Sequence, residues 1–338
     1  MSDIIAALGW RVPRSRPSRL DATLAKADAR RILQLALAAL WLLDAVLQYQ
    51  GFMFTRAFGQ MLGGTAAGNP AIIARPITWD AGLVEHHVVL LNSIFATVQL
   101  LIGMSIAYRP TVRAALALSV AWSLAVWWFG EGLGGILAGG ASPLNGAPGA
   151  VLIYALIAVL LWPSDRHPSA PYVPARAVGV RTARIIWLLF WASLTAFTLL
   201  PANLKAEGWT SMISDMADGE PSWLSSVQHA FGSVLAHQGV LASVLLAIVF
   251  ALIAAGIFLP RAALRATIVL AVVAAAFLWI VPQAFGGILV GGATDPNSGP
   301  LLALFALLYW PGWGAGTPVV SQAALDASPA SDQGKDRS

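Results

Sequence analysis

Long apolar runs separated by short polar stretches dominate the chain. They fall near residues 32–50, 85–108, 113–137, 148–162, 185–203, 231–259, 265–290 and 300–311. An α-helix needs about 20 such residues to cross roughly 30 Å of hydrocarbon. The pattern therefore predicts an all-α integral membrane protein with eight transmembrane helices. Composition agrees: 58% of the 338 residues are hydrophobic and 11% charged, where a soluble domain carries about 25% charged residues.

The runs read as the same four helices written twice. Trp41 matches Trp191 and Pro110 matches Pro260 at an offset of 150. Gly134-Gly-Ile-Leu137, Gly139-Gly-Ala141, Asn145 and Pro148 match Gly286-Gly-Ile-Leu289, Gly291-Gly-Ala293, Asn297 and Pro300 at 152. Trp162-Pro163 then matches Trp310-Pro311 at 148, so the last helix of the second copy is expected to be four residues shorter. Ordered matches of this kind mark an internal duplication. Because each unit has an even number of spans, the two are expected to be parallel repeats about an axis along the membrane normal. The expected organisation is a basic segment at 1–31, a first repeat at 32–163, a linker at 164–184, a second repeat at 185–311 and a disordered cytoplasmic tail at 312–338.

Charge sets the orientation. With the N-terminus inside, seven basic residues from Arg11 to Arg31 lie on the cytoplasmic side. Arg109, Arg113, Arg166, Arg176, Arg181, Arg184, Arg261, Arg265, Lys335 and Arg337 join them, leaving only Arg56, Arg75 and Lys205 outside. A bias of Lys and Arg toward cytoplasmic loops is the usual topology signal. The pI of 9.8 thus speaks for anionic lipid headgroups at the basic N-terminus and not for nucleic acid. No cysteine is present, which excludes disulfides, thiolate metal sites and iron–sulfur ligation. No signal peptide is evident in the polar first 31 residues. No nucleotide-binding loop, hydrolase elbow, zincin helix or kinase signature appears either, and no catalytic residue is assigned.

The stretches LWLLDAVLQ at 40–48, WFGEGLGG at 128–135 and ATDPNSGPLL at 293–302 resemble a group of duplicated bacterial, actinobacterial-type polytopic membrane proteins. One four-helix unit is also similar in layout to the DoxX/DoxD proteins. That resemblance implies a bacterial plasma-membrane location and an association with quinone- or haem-linked redox systems. The usual Gly and Lys of that family's first helix are absent from this chain, with Asp44 and Gln48 in their neighbourhood.

The Gly-rich motifs precede runs of 15 and 11 residues, Pro148–Trp162 and Pro300–Trp310, too short to span alone. Two readings stay open. The spacing of Gly135 with Gly139, and of Gly287 with Gly291, suits close packing of helices that continue to about Leu137 and Leu289. Alternatively the motifs form non-helical loops lining a site, as interrupted segments at matching places in two repeats do.

Ionisable residues at membrane depth are the candidate chemistry. Asp44 shares a helical face with Trp41 and Gln48. Glu131 lies at the Gly-rich end of the third helix, opposite Gln283 in the second copy. His87 and His237 match at an offset of 150, and Asn145 and Asn297 sit in the turns. These eight residues, Asp44, Gln48, His87, Glu131, His237, Gln283, Asn145 and Asn297, are expected to border an outward-facing polar pocket between the repeats. A divalent metal on His87, Glu131 and His237, or a haem between the two histidines, is compatible with the residue types, but no cofactor is clearly implied. Trp41, Trp122, Trp162, Trp310 and Trp313 suit aromatic belts at the interfaces. Solute or ion binding for transport or sensing, a redox accessory subunit, and a ligand-free scaffold are the readings carried forward. The charge asymmetry makes one expectation directly measurable. A fluorescent reporter that matures only in the cytoplasm, fused after Ser338, should be bright, and an export-dependent phosphatase at the same place should be inactive. The opposite pair of results removes this orientation.

Overall fold

The computed structural model describes residues 28–312, and those residues fold into helices with no strand among them. The basic segment before Asp28 and the tail after Gly312 lie outside the described residues, and with them the expected headgroup contacts and tail disorder.

The first half runs α1 (Ala29–Leu47), a 3-10 turn, α2 (Arg56–Gly64), α3 (Ala71–His86), α4 (Val88–Ala107), α5 (Val112–Phe129) and α6 (Ala150–Leu160). After the short α7 (Val173–Val178) the same order of lengths returns. It comprises α8 (Val180–Thr198), α9 (Gly208–Ala217), α10 (Ser222–Val234), α11 (Gly239–Gly256), α12 (Arg261–Ile280) and α13 (Ser298–Leu308). Five helices are long and apolar enough to cross a membrane: Val88–Ala107, Arg109–Phe129, Val180–Thr198, Gly239–Gly256 and Arg261–Val290. Such segments are hydrophobic all round, which a helix tolerates only inside protein or lipid. Helix α1 is as long as α8 but carries Arg30, Arg31 and Asp44, and α6 and α13 are short apolar helices.

Several boundaries differ from the hydrophobic runs, each for a local reason. The run 231–259 contains two helices, because the chain turns at His237 (φ 62°) and Gly239 donates its N–H to the Ala206 carbonyl at 2.8 Å. The run from 85 likewise divides at His87, which ends α3 and begins α4. The polar segments between the first and second apolar helices are helical pairs. Helices α2 and α3 pack together, as do α9 and α10.

The last helices, α6 and α13, are both 11 residues long. The four residues missing from the second half are therefore lost from the connector before α13, not from the helix. At about 16 Å each, α6 and α13 are short because protein encloses them. They pack on each other, and also on α5 and α12 respectively, and are buried at most positions.

The Gly motifs do not continue the helices before them. Helix α5 stops at Phe129, and Gly132, Leu133, Gly134 and Gly135 take left-handed backbone at φ 55–69°. Helix α12 stops at Ile280, and Phe285, Gly286 and Gly287 do the same at φ 55–77°. A continuous helix with a packed GxxxG face is thus ruled out by backbone conformation; the glycines serve the turn.

One pole of the first half is tied together by polar contacts. Arg30 pairs with Asp165 at 2.6 Å, the Gln34 amide donates to the Leu161 carbonyl at 3.0 Å, and Arg31 donates to the Ile106 carbonyl at 2.8 Å. The start of α1 therefore meets the ends of α4 and α6. The segment 164–184, expected as a linker, folds back instead. Tyr172 and Val173 are buried, and the Tyr172 ring lies 5.2 Å from that of Tyr309. Trp187, Trp191 and Phe305 continue this aromatic core, where the Tyr309 hydroxyl donates to the Ala183 carbonyl at 2.9 Å. Trp41 also belongs to the core and not to an interfacial belt. It is 1% exposed, its ring lies tilted 4.3 Å from that of Tyr154, and it donates to the Ser119 hydroxyl at 3.0 Å.

Two glycines six residues apart, Gly134 and Gly140, distinguish the turn from its surroundings. A Cβ at Gly134 would collide with the Pro148 carbonyl in a left-handed residue, whereas one at Gly140 would meet open space. Gly134→Ala is expected to destabilise the protein by about 1–3 kcal/mol and Gly140→Ala by less than about 0.5 kcal/mol. Thermal unfolding in detergent measures both, and equal stability of the two variants would refute the left-handed turn.

Candidate functional site

The site begins with the ends of the helices. Where α5 gives way to the Gly turn, the Glu131 carboxylate reaches the start of α6, and its Oε1 accepts from the Val151 N–H at 3.2 Å. This satisfies one of the donors a helix start leaves without a partner in the helix. Gly149 makes room for it, since a Cβ there would overlap Glu131 Oε2. The second half solves the same problem with an amide. Gln283 Oε1 accepts from the Gly299 N–H at 3.3 Å, while its Nε2 donates to the Ser298 hydroxyl at 2.9 Å and the Pro143 carbonyl at 3.1 Å. The difference is that Gln283 uses both ends, whereas Glu131 Oε2 is buried with no partner.

Beyond these turns each Gly-rich connector crosses to the other half. Pro143 accepts from Gln283, and the Ala141 carbonyl accepts from the Asn203 amide at 2.8 Å. In return the 293–297 connector enters the first half. Asp295 is held there by its own turn, accepting from the Asn297 N–H at 2.7 Å and the Thr294 hydroxyl at 2.8 Å.

Asp295 and Thr294 thereby close a cavity of about 250 Å³ within the first half, together with Trp41, Asp44, Gln48, Gln99 and Glu131. Trp41, Asp44 and Gln48 are spaced to share a face of α1, and all three line this cavity. The Asp44 side chain is 2% exposed and its Oδ1 has no hydrogen-bond partner; Gln48 Oε1 and Gln99 Oε1 are also buried and unpartnered. The buried Tyr154 hydroxyl stands beside the Asp44 carboxyl, a donor next to it, without a well-formed hydrogen bond between them. Phe58, Phe95, Trp122 and Phe129 form much of the remaining wall. The Phe95 and Trp122 rings meet at 5.8 Å between α4 and α5. A second cavity, of about 340 Å³, shares Glu131 and Asp295 with the first and is walled by Gly134, Gly135, Asn145, Gly146 and Asn297. Glu131 and Asp295 thus stand between two spaces.

Of the eight candidate residues, Asp44, Gln48 and Glu131 come together in the first cavity. Glu131, Asn145 and Asn297 border the second. Asn297 also caps α13, its Oδ1 accepting from the Ser298 N–H at 2.6 Å. Gln283 is buried and lines neither cavity. His87 and His237 do not join the group. His87 is exposed at the α3–α4 turn, and the His237 side chain, 81% exposed, lies 3.3 Å from Glu207. Neither lines a cavity with Glu131. Among the described residues no group of three or more His, Asp or Glu is arranged to hold a metal ion. The three-residue metal set His87, Glu131 and His237 is therefore not assembled, because both imidazoles turn outward at helix breaks.

Three polar cavity residues escaped the sequence, Asp80, Gln99 and Asp295. Gln99 lies in the largely apolar α4, one of two buried amides there with Asn92, and an amide in such a helix is the signal that points to it. Asp295 reads as part of an ordinary Asp-Pro-Asn-Ser turn, and nothing local says that the turn crosses to the other half. No family model, curated protein or solved structure matches this chain.

The capping geometry leads to a stability test. Glu131→Gln keeps an acceptor for the Val151 N–H and is expected to change stability by less than about 1 kcal/mol. Glu131→Leu strands that donor and is expected to cost about 1–3 kcal/mol. Unfolding curves in one detergent decide it; a Leu variant as stable as the Gln variant would show that the cap contributes nothing.

Proposed function

We propose that this chain is a multi-pass protein of the bacterial cytoplasmic membrane that binds a small solute or ion in the first-half cavity, in transport or sensing. Eight apolar helices would span the bilayer as two parallel four-helix units, α1, α4, α5 and α6 followed by α8, α11, α12 and α13. Helices α2, α3, α9 and α10 would cover the outer face, with both termini inside. The recurrence of the same element order, the matching interfaces α1–α4 and α8–α11, and the basic residues gathered at one pole support that arrangement. On this orientation Asp44, Gln48 and the Gly turns lie toward the outside, and the second cavity is the entrance to the first.

The single observation that carries the binding reading is the convergence of unpartnered buried polar atoms on Asp44, Gln48, Gln99 and Glu131 around one cavity. Buried polar groups are normally hydrogen-bonded, and each one left alone costs about 1–3 kcal/mol. A protein that keeps four of them around a cavity has a structural place for a partner. Largely apolar cavities with a few convergent polar groups are the usual form of small-molecule sites.

The test is a thermal-shift screen of the full chain in detergent, with cationic, neutral and anionic small molecules. A ligand at 100 times its Kd stabilises the folded state by about 2.7 kcal/mol. Stabilising compounds are expected for the wild type and lost in Val126→Phe, which narrows the cavity wall. Absence of any hit across all three charge classes, or hits that stabilise both proteins equally, would reject the reading.

A further inference from the structure

Resting on the binding reading above, the composition of the cavity wall narrows the kind of molecule it takes. Among the described residues four carboxylates line it, Asp44, Asp80, Glu131 and Asp295, and no Lys, Arg or His does. The unpartnered oxygens of Gln48 and Gln99 add acceptors to the same wall. Apart from the Trp122 indole N–H, the buried polar atoms that lack a partner in this wall are oxygens that accept, on Asp44, Gln48, Gln99 and Glu131. Gathered carboxylates in a poorly hydrated space repel one another, and their attraction for a cation is stronger there than in water. Much of the remaining wall is aromatic, and faces of Trp and Phe attract cations through the ring quadrupole.

We propose that the cavity binds a small organic cation, an ammonium or guanidinium head on a compact apolar body. The charged head would sit among Asp44, Glu131 and Asp295, and the body against Phe58, Phe95 and Trp122. Size agrees with this class. A cavity of about 150 Å³ accommodates benzene, so about 250 Å³ suits a molecule of about ten non-hydrogen atoms. A bare metal ion fits less well, since no trio of metal-ligating side chains among the described residues is arranged to hold one.

The second half does not reproduce the site. At the offsets established above, Leu194 stands for Asp44, Val249 for Gln99, Gln283 for Glu131 and Pro143 for Asp295. Gln283 is already engaged by Ser298, Gly299 and Pro143. One cation site per chain is the consequence, completed in the first half by a connector from the second.

Titration calorimetry on the full chain in nanodiscs tests this with three matched probes: benzylammonium, benzyl alcohol and benzoate. Tetramethylammonium and sodium chloride at equal ionic strength complete the set. Benzylammonium is expected to bind with one site per chain and at least tenfold more tightly than benzyl alcohol, with benzoate not binding. Asp44→Asn should weaken benzylammonium at least tenfold and leave benzyl alcohol unchanged. Should that variant fail to fold, Glu131→Gln serves the same purpose, because a Gln is accommodated at the corresponding turn in the second half. Equal binding of the alcohol and the ammonium, or displacement of benzylammonium by sodium at equal concentration, overturns the organic-cation assignment while leaving a solute site intact. Failure of every probe, joined to a screen without hits, overturns both.

Discussion

The structure depends on how two short helices begin. Helices α6 and α13 start inside the protein, where water is scarce, and a helix start presents backbone donors that must find acceptors. Glu131 and Gln283 supply them from the ends of the preceding long helices. To bring those side chains back toward the next helix, the chain must reverse within a few residues, which only the left-handed glycine turns allow. The Gly motif, the cap and the short helix are thus one device.

That device has a consequence for the whole molecule. The connector after the first Gly turn gives its carbonyls to the second half, and the connector after the second turn places side chains in the first half. Ala141 and Pro143 are received by Asn203 and Gln283, while Asp295 and Thr294 reach the cavity beside Asp44. The two halves are held together by exchanged loops as well as by the contact of α6 with α13. A cavity placed at such a crossing inherits its chemistry from both halves.

The two halves differ at a few corresponding positions. A carboxylate caps α6 and leaves one oxygen unengaged, facing a cavity. A carboxamide caps α13 and spends both its oxygen and its nitrogen on neighbours. This single exchange of Glu for Gln separates a satisfied structural joint from one with spare binding capacity. Asp44 against Leu194 and Asp295 against Pro143 act in the same direction.

The sequence by itself determined that the chain is helical and suited to a membrane, because apolar length and charge depletion are local quantities. It also placed Trp41, Asp44 and Gln48 on one face, since helical periodicity needs only spacing, and it singled out Glu131 beside the glycines. It did not determine where α5 and α12 stop: a glycine run reads equally as a packed helix face or as a left-handed turn, and only the Pro148 carbonyl lying against Gly134 decides. Nor did it distinguish a buried Trp41 from one at an interface, or reveal that His87 and His237 turn outward at helix breaks. Asp295 is the clearest case. Its turn is written in four residues, but its role depends on a connector crossing to a helix about 250 residues earlier, a relation that distance in space sets and spacing along the chain does not encode.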